Sequence, residues 1–193
     1  MAHRRAAVIA AGCAVAAAGV TAAVAMALAD DAPAVDGEFV LDQPGVYQEP
    51  TDELNPLIAG ERLPAVDLLA VDDSTVSLAD YAGRPLVVNL WYSACAPCAR
   101  ELRDFAEVHA EVGDRVAFVG VNPYDGRDRM LEFAAERGVG YDLLRDDDFA
   151  LANELGVVLY PVTLFVDEDG RIVGQTGEVD AAQLRATIDD LFG

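Results

Sequence analysis

Two cysteines separated by two residues are the part of this sequence best suited to chemistry. They form the motif Cys95-Ala96-Pro97-Cys98. Two thiols at this spacing can form and break a disulfide with each other, which suits electron exchange with other thiols. Structural zinc sites use four ligands, mostly Cys and His, and the only cysteines and histidines beyond this pair are Cys13, His3 and His109. We therefore predict a redox-active cysteine pair, with no metal and no cofactor.

The elements on either side of the motif predict where the two thiols lie. Residues 85–91 are apolar except for Asn89, which is typical of a central strand covered on both faces. Residues 97–112 carry apolar side chains at helical spacing, and Pro97 suits an early helical position because no N–H is needed there. Free N–H groups and the helix dipole favour a thiolate at such a helix start. We predict that Cys95 is the nucleophile and that Cys98, one turn inward, is the resolving thiol.

Residues 60–193 are predicted to form one α/β domain. The apolar patterns and turn signals predict strands at 65–69, 75–78, 85–91, 115–121, 141–144, 162–166 and 171–175, and helices at 97–112, 128–137, 149–155 and 180–192. A helical crossover favours parallel strands, whereas the hairpin turn at 168–170 requires antiparallel ones. We therefore predict a mixed central sheet with helices on both faces, preceded by an N-terminal β-hairpin.

The first 59 residues divide into two segments of different composition. Arg4 and Arg5 precede an uncharged run at 6–29, long enough as a helix to cross a membrane. Residues 1–29 are therefore predicted to be a signal anchor, or a signal peptide cleaved after Ala29, and the chain beyond them is exported. Residues 30–59 hold eight acidic residues, four prolines and no basic residue, and we predict a flexible linker.

The charge of the chain excludes one class of partner. There are 34 acidic and 13 basic residues, and the net charge is −21. This excess repels phosphate backbones, so we expect no nucleic-acid partner. We expect the protein to be a monomer.

Four segments, in order, resemble a known family. Residues 83–98 read Gly-Arg-Pro-Leu-Val-Val-Asn-Leu-Trp-Tyr-Ser-Ala-Cys-Ala-Pro-Cys, and the further matching segments are 63–68, 120–122 and 156–165. They resemble the extracytoplasmic thiol-disulfide oxidoreductases of the TlpA, ResA and CcmG type, and the resemblance covers about residues 60–193. It implies a thioredoxin-like fold and an enzyme that exchanges disulfides with exported proteins.

The resemblance also implies roles for single residues. Pro161 matches the family's cis-proline beside the cysteines. Glu101 matches an acidic residue three positions after the second cysteine, where it would tune the protonation of Cys98; an exposed helix glutamate is the alternative. Asn89 takes the place of the buried acid of thioredoxin. One departure is Ala94, because the family usually has Trp before the first cysteine.

The residues around the motif are expected to contact substrate; they are Trp91, Ala94, Ala96, Pro97 and Tyr160. By resemblance, the partners are the thiols and disulfides of exported proteins, such as apocytochrome c, and a membrane thiol-disulfide electron donor. We predict a reductant, although the sequence leaves an oxidant open. The site would stand outside the cytoplasm, held to the membrane by the N-terminal helix, or secreted if the signal is cleaved.

Three other functions explain less of the sequence. The fold could be a binding module with an inert cysteine pair. A copper-handling protein of this architecture would have a longer cysteine spacing and a later histidine, but the last histidine is His109, which we expect to be exposed. A peroxidase would need a proline before a Thr or Ser near its cysteine; Ser93 is present but that proline is not.

Overall fold

A computed structural model describes residues 55–193 of the chain. The predicted signal segment, nearly all of the predicted linker and Cys13 lie outside the described residues. Within residues 55–193, none of the helices combines the length and the apolar character that crossing a membrane would require.

The helices and strands follow the predicted order. The strands are β1 (Asp67–Leu69), β2 (Thr75–Ser77), β3 (Leu86–Leu90), β4 (Ala117–Asn122), β5 (Asp142–Arg145), β6 (Val162–Val166) and β7 (Ile172–Thr176). The α-helices are α1 (Ala96–Val112), α2 (Arg127–Ala135), α3 (Ala150–Leu155) and α4 (Ala181–Phe192). Predicted and observed bounds differ by no more than two residues. A short 3-10 helix at Leu78–Tyr81, capped by Ser77, was not predicted.

The strands form one mixed sheet in the order β2-β1-β5-β4-β3-β6-β7. β3 pairs in parallel with β4 and antiparallel with β6, and β4 pairs in parallel with β5. The predicted hairpins are present as the antiparallel pairs β1–β2 and β6–β7, and β1 joins the same sheet through β5. This arrangement confirms the predicted thioredoxin-like α/β fold. β3 lies between β4 and β6, and the CxxC motif follows it along the chain.

Two apolar clusters cover the two faces of the sheet. Val87 and Trp91 point to one face, into a cluster with the buried sides of α1, α2 and α4. Val88 and Leu90 point to the other, into a cluster with α3 and the 3-10 helix. Every residue of β3 is buried, as its largely apolar sequence predicts.

The domain begins before residue 60, and the predicted linker boundary is wrong at this point. Asn55 and Ile58 are buried. The Ile58 N–H donates to Gln175 Oε1 at 3.1 Å, and the Gly60 N–H donates to the Ile172 carbonyl at 2.7 Å. The composition of residues 55–59, which include Pro56, is typical of a linker. Ile58 is nevertheless buried in the apolar core.

The expected exposure of His109 is also wrong. Its ring packs against Phe118 and Tyr141, with ring centroids 5.3 and 5.4 Å away. These contacts make the side chain part of the packing of α1 on the sheet, and the resulting burial lowers the pKa of His109.

Gly120 in β4 gives a test of this packing. A Cβ atom there would lie 2.8 Å from Trp91 Nε1 and 2.9 Å from Leu143 Cδ2, closer than real contacts allow. We expect Gly120→Ala to lower the free energy of unfolding by about 1–3 kcal/mol, because the core around the indole must shift. Urea denaturation of the oxidised protein measures it.

Gly140→Ala is the matched control, because a Cβ atom at Gly140 meets nothing within 4 Å. It should change stability by no more than about 0.5 kcal/mol. Equal effects of the two substitutions would contradict the packing around Trp91.

Candidate active site

The CxxC motif lies where β3 ends and α1 begins. Cys95 is the N-cap of α1, and its Sγ accepts a hydrogen bond from the Cys98 N–H at 3.2 Å. Pro97 occupies the first turn, as expected of a residue without an N–H. The predicted placement of the pair at a helix start is therefore confirmed.

The two sulfurs differ in accessibility. They form a disulfide, with the two Cα atoms 5.3 Å apart. Cys95 is 5% exposed and Cys98 is fully buried. A partner can therefore approach only the Cys95 sulfur, and the N–H group directed at that sulfur would stabilise its negative charge after reduction.

The loop before β6 lies beside the Cys95 sulfur. The peptide bond between Tyr160 and Pro161 is cis, as the resemblance implies, and Pro161 is buried. The Tyr160 carbonyl oxygen lies 3.7 Å from Cys95 Sγ. The antiparallel pairing of β6 with β3 brings this loop to the motif, because Val162 pairs with Leu90.

A carboxyl group lies in the core beneath the helix start. Glu101 is 1% exposed, so the alternative of an exposed glutamate is wrong. Its Oε1 accepts from Asn89 Nδ2 at 2.8 Å and its Oε2 from the Val179 N–H at 3.3 Å; Asn89 Nδ2 also donates to Thr163 Oγ1 at 3.1 Å.

The environment of Glu101 raises its pKa. Burial penalises the charged form most and raises the pKa to about 8, although the donors Asn89 and Val179 act in the opposite direction. The nearby Glu178 and Asp104 raise it further by like-charge repulsion. This buried carboxyl group can therefore gain or lose a proton near neutral pH.

A pocket connects this carboxyl group with solvent. It has a volume of about 270 Å³, and its walls are formed by Arg100, Glu101, Asp104, Glu178, Val179, Asp180 and Gln183. Arg100 and Glu178 form a two-bond ion pair there, at 2.7 and 2.8 Å. A proton on Glu101 thus has a short path to water.

One acidic residue that organises the site was missed by the sequence analysis. Asp125, in the loop after β4, accepts from the Ser93 N–H and from Ser93 Oγ, both at 2.6 Å. Asn122 Nδ2 donates to the same carboxylate at 2.8 Å. The signal was available, because the carboxyl ends of the parallel strands β3 and β4 meet at one sheet edge.

Three tyrosines were also missed as a group. Tyr92, Tyr124 and Tyr160 contact one another, with ring centroids 4.7, 5.5 and 5.7 Å apart. Tyr124 is 58% exposed. We call these three residues the tyrosine cluster; it forms an aromatic surface next to the nucleophile.

The residues expected to contact substrate divide into two groups. Ala94 and Ala96 are exposed, and Pro97 and Tyr160 are partly exposed, so all four are accessible. Trp91 is fully buried and stacks on Phe133 at 5.8 Å, so its expected substrate contact is wrong. The indole lies in the apolar core because Trp91 continues the alternation of β3 and points to the same face of the sheet as Val87 and Asn89. Among residues 55–193, no group of three or more metal-ligating side chains occurs.

Comparisons with known proteins agree with this geometry. The model of the AhpC/TSA family matches residues 59–175. The thiol:disulfide interchange protein DsbE of Pseudomonas fluorescens biotype C is 35% identical over 157 residues, which cover 76% of this chain and 86% of that protein. The thiol-disulfide oxidoreductase ResA of Halalkalibacterium halodurans is 23% identical over 116 residues, 60% of this chain and 66% of that protein.

A solved structure is similar to this chain in its fold as well as in its sequence. The crystal structure of a DsbF homologue from Corynebacterium diphtheriae superposes with a TM-score of 0.61 and 31% sequence identity, over 75% of this chain and 98% of that one. The chain therefore belongs to the AhpC/TSA family and is a thiol-disulfide oxidoreductase of the DsbE and ResA type, with its cysteine pair at Cys95 and Cys98.

Proposed function

We propose that this enzyme works as a reductant of disulfides in exported proteins. The observation that carries the proposal is the modest stabilisation offered to a thiolate at Cys95. In residues 55–193 its sulfur accepts one backbone hydrogen bond, and it faces the partly negative Tyr160 carbonyl oxygen at 3.7 Å. Strong oxidants of this chemistry have a reduced form that is strongly stabilised. Weak stabilisation corresponds to a lower potential and hence to a reductant.

The reaction transfers two electrons through two disulfide exchanges. The Cys95 thiolate attacks one sulfur of the substrate disulfide, and the other substrate sulfur leaves as a thiolate that takes up a proton. Cys98 then loses its proton and attacks Cys95 Sγ, which releases the second substrate thiol. The substrate ends as a dithiol and the enzyme as the Cys95–Cys98 disulfide of this structure. A second dithiol, from a membrane electron donor, reduces the enzyme again.

Glu101 is proposed to handle the proton of Cys98. The two residues are three positions apart on α1 and share a face of the helix. A carboxyl group with a pKa of about 8 can accept the proton when Cys98 attacks and return it when the enzyme is reduced again. The pocket beside Glu101 would exchange that proton with solvent.

The surface around Cys95 suits an extended polypeptide. Ala94 and Ala96 leave open space around the nucleophile, and the tyrosine cluster offers an aromatic surface beside it. Unfolded or flexible segments of exported proteins, such as apocytochrome c, expose the apolar side chains that would pack there. The names of the DsbE and ResA relatives support the reaction, and the substrate stays our proposal.

The place of action is proposed from the N-terminal sequence. The uncharged run at 6–29 would hold the enzyme to the membrane, and residues 30–54 would act as the linker. The site would then meet both its membrane electron donor and newly exported chains.

The redox potential tests whether the enzyme acts as a reductant or as an oxidant. We expect a potential of the Cys95–Cys98 couple closer to thioredoxin's, about −270 mV, than to DsbA's, about −120 mV. Equilibration of the full-length protein with dithiothreitol or glutathione buffers, followed by thiol trapping, measures it. A value near the DsbA end would assign the enzyme as an oxidant.

The roles of the two cysteines can be separated by substitution. Cys95→Ser should abolish insulin reduction, whereas Cys98→Ser should accumulate a mixed disulfide with substrate, because the resolving thiol is missing. Both are made in a Cys13→Ser background so that no third thiol interferes. In the reduced parent protein, iodoacetamide should modify Cys95 first. Faster modification of Cys98 would overturn the assignment.

Glu101→Gln tests the buried carboxyl group. The rate of insulin reduction by the parent protein should change with an apparent pKa near 8, and this inflection should be absent in the variant. Glu154→Gln, an exposed glutamate on α3, is the matched control and should keep the inflection. The measurement is kcat/KM between pH 5.5 and 9.5.

Glu101→Gln should also change how the stability of the folded protein depends on pH. Because the folded pKa of Glu101 lies above its unfolded value, the folded state holds the extra proton between about pH 4.5 and 8. The oxidised parent protein should therefore lose up to about 1.4 kcal/mol of stability for each pH unit of rise in this range. Glu101→Gln should flatten the dependence. An unchanged slope would show that Glu101 titrates normally.

A further inference from the structure

The N-terminal strap, defined as residues 55–58, makes an unusual contact with the loop that precedes Pro161. Asn55 is 7% exposed. Its Oδ1 accepts from the Val158 N–H at 2.8 Å and from the Leu159 N–H at 2.9 Å, and its Nδ2 donates to the Leu159 carbonyl at 2.9 Å. One side chain thus binds three backbone groups more than 100 residues away along the chain.

The loop has little else to hold this part of its backbone. Within residues 55–193, the N–H groups of Val158 and Leu159 have no partner besides Asn55. Their side chains are 64% and 44% exposed, so they do not anchor the loop in the core. The α3 end of the loop is held by the Val157 N–H on the Ala152 carbonyl. Asn55 therefore determines where the backbone runs between that point and β6.

The strap itself is held firmly. Gln175 in β7 accepts from the Ile58 N–H and donates to the Pro56 carbonyl, both at 3.1 Å. Pro56 also covers Gly156, which has a left-handed backbone (φ +66°); a Cβ atom on Gly156 would lie 3.0 Å from Pro56 Cγ. Asn55 is thus a fixed point against which the loop is placed.

The residue that follows the anchored segment faces the chemistry. Tyr160 follows Leu159 directly, its carbonyl oxygen lies 3.7 Å from Cys95 Sγ, and its ring belongs to the tyrosine cluster. A shift of the backbone at Val158 and Leu159 would displace both the carbonyl group and the ring relative to the nucleophile.

We propose that Asn55 is a positioning residue for polypeptide substrates: it holds the Val158–Tyr160 backbone so that the Tyr160 carbonyl group and the tyrosine cluster can align a substrate disulfide with Cys95 Sγ. The proposal rests on the proposed function. It also gives the strap a role in the reaction, because Asn55 belongs to the strap and sets the substrate-facing loop.

Two disulfide probes distinguish this role from a general effect on the site. Insulin is a polypeptide and must align its backbone on the loop. The small aromatic disulfide DTNB needs access to the Cys95 sulfur alone. A positioning defect therefore lowers the rate of insulin reduction and leaves the rate with DTNB unchanged, whereas damage to the cysteine pair lowers both rates.

The experiment compares full-length Asn55→Ala with its parent, both in the Cys13→Ser background and in mild detergent. We expect kcat/KM for fluorescently labelled insulin to fall roughly tenfold, mainly through KM, because misplacement of an aligning group by a fraction of an ångström has effects of this size. The reaction of the reduced protein with DTNB should stay within about twofold, since Asn55 does not touch the sulfurs.

Two further variants keep the result interpretable. Asn55→Asp retains an acceptor for both N–H groups and should recover insulin reduction to within about threefold of the parent, even if Asn55→Ala folds poorly. Asn153→Ala, an exposed asparagine on the neighbouring helix α3, should behave like the parent.

The outcomes separate the two proposals. Unchanged insulin reduction in Asn55→Ala, or an equal loss with insulin and DTNB, would overturn the positioning role while the proposed function stands. A parent protein that reacts with DTNB but reduces no insulin would refute the proposed function, and the positioning role with it.

Discussion

The junction between β3 and α1 is the constraint on which the rest of the site depends. β3 lies between β4 and β6, and all five of its residues are buried, so its end can move little. Cys95 caps the start of α1 a few residues after β3, so the Cys98 N–H points at Cys95 Sγ. The strands on either side then deliver the Asp125 loop and the Pro161 loop to the same edge. A change in the register of β3 would separate all of these groups.

The buried Glu101 shows how the core and the chemistry share one set of residues. An ionised carboxylate at this depth would oppose folding, and its pKa near 8 means that most molecules hold the proton at neutral pH while a minor fraction is ionised. The neighbours Asn89 and Thr163 come from β3 and β6. The cysteine pair follows β3 along the chain, and Pro161 directly precedes β6. The core therefore accepts a carboxyl group on α1, hydrogen-bonded to β3, whose strand leads into the cysteine pair.

What could be predicted from the sequence depended on local patterns. The strand, the CxxC motif and the helix are contiguous, so periodicity and capping chemistry placed Cys95 and Cys98 correctly. Pro161 and Glu101 came from resemblance, and their burial agrees with it. The sequence gives no sign of contacts between distant residues. The composition around Asn55 resembles a linker, and nothing in it indicates that Asn55 bonds the backbone of Leu159.

 

The loops beside the cysteine pair are held in the same way. They have left the sheet, so no neighbouring strand can hold their backbone N–H groups, and polar side chains bond those groups instead. Asp125 holds the Ser93 N–H ahead of the nucleophile, and Asn55 holds the N–H groups of Val158 and Leu159 ahead of Pro161. Each of these side chains fixes a loop near the cysteine pair, while the sheet beneath keeps its own ladder of hydrogen bonds. Removing one of them should therefore disturb the alignment of substrate more than the stability of the fold, because the apolar clusters on both faces of the sheet stay intact.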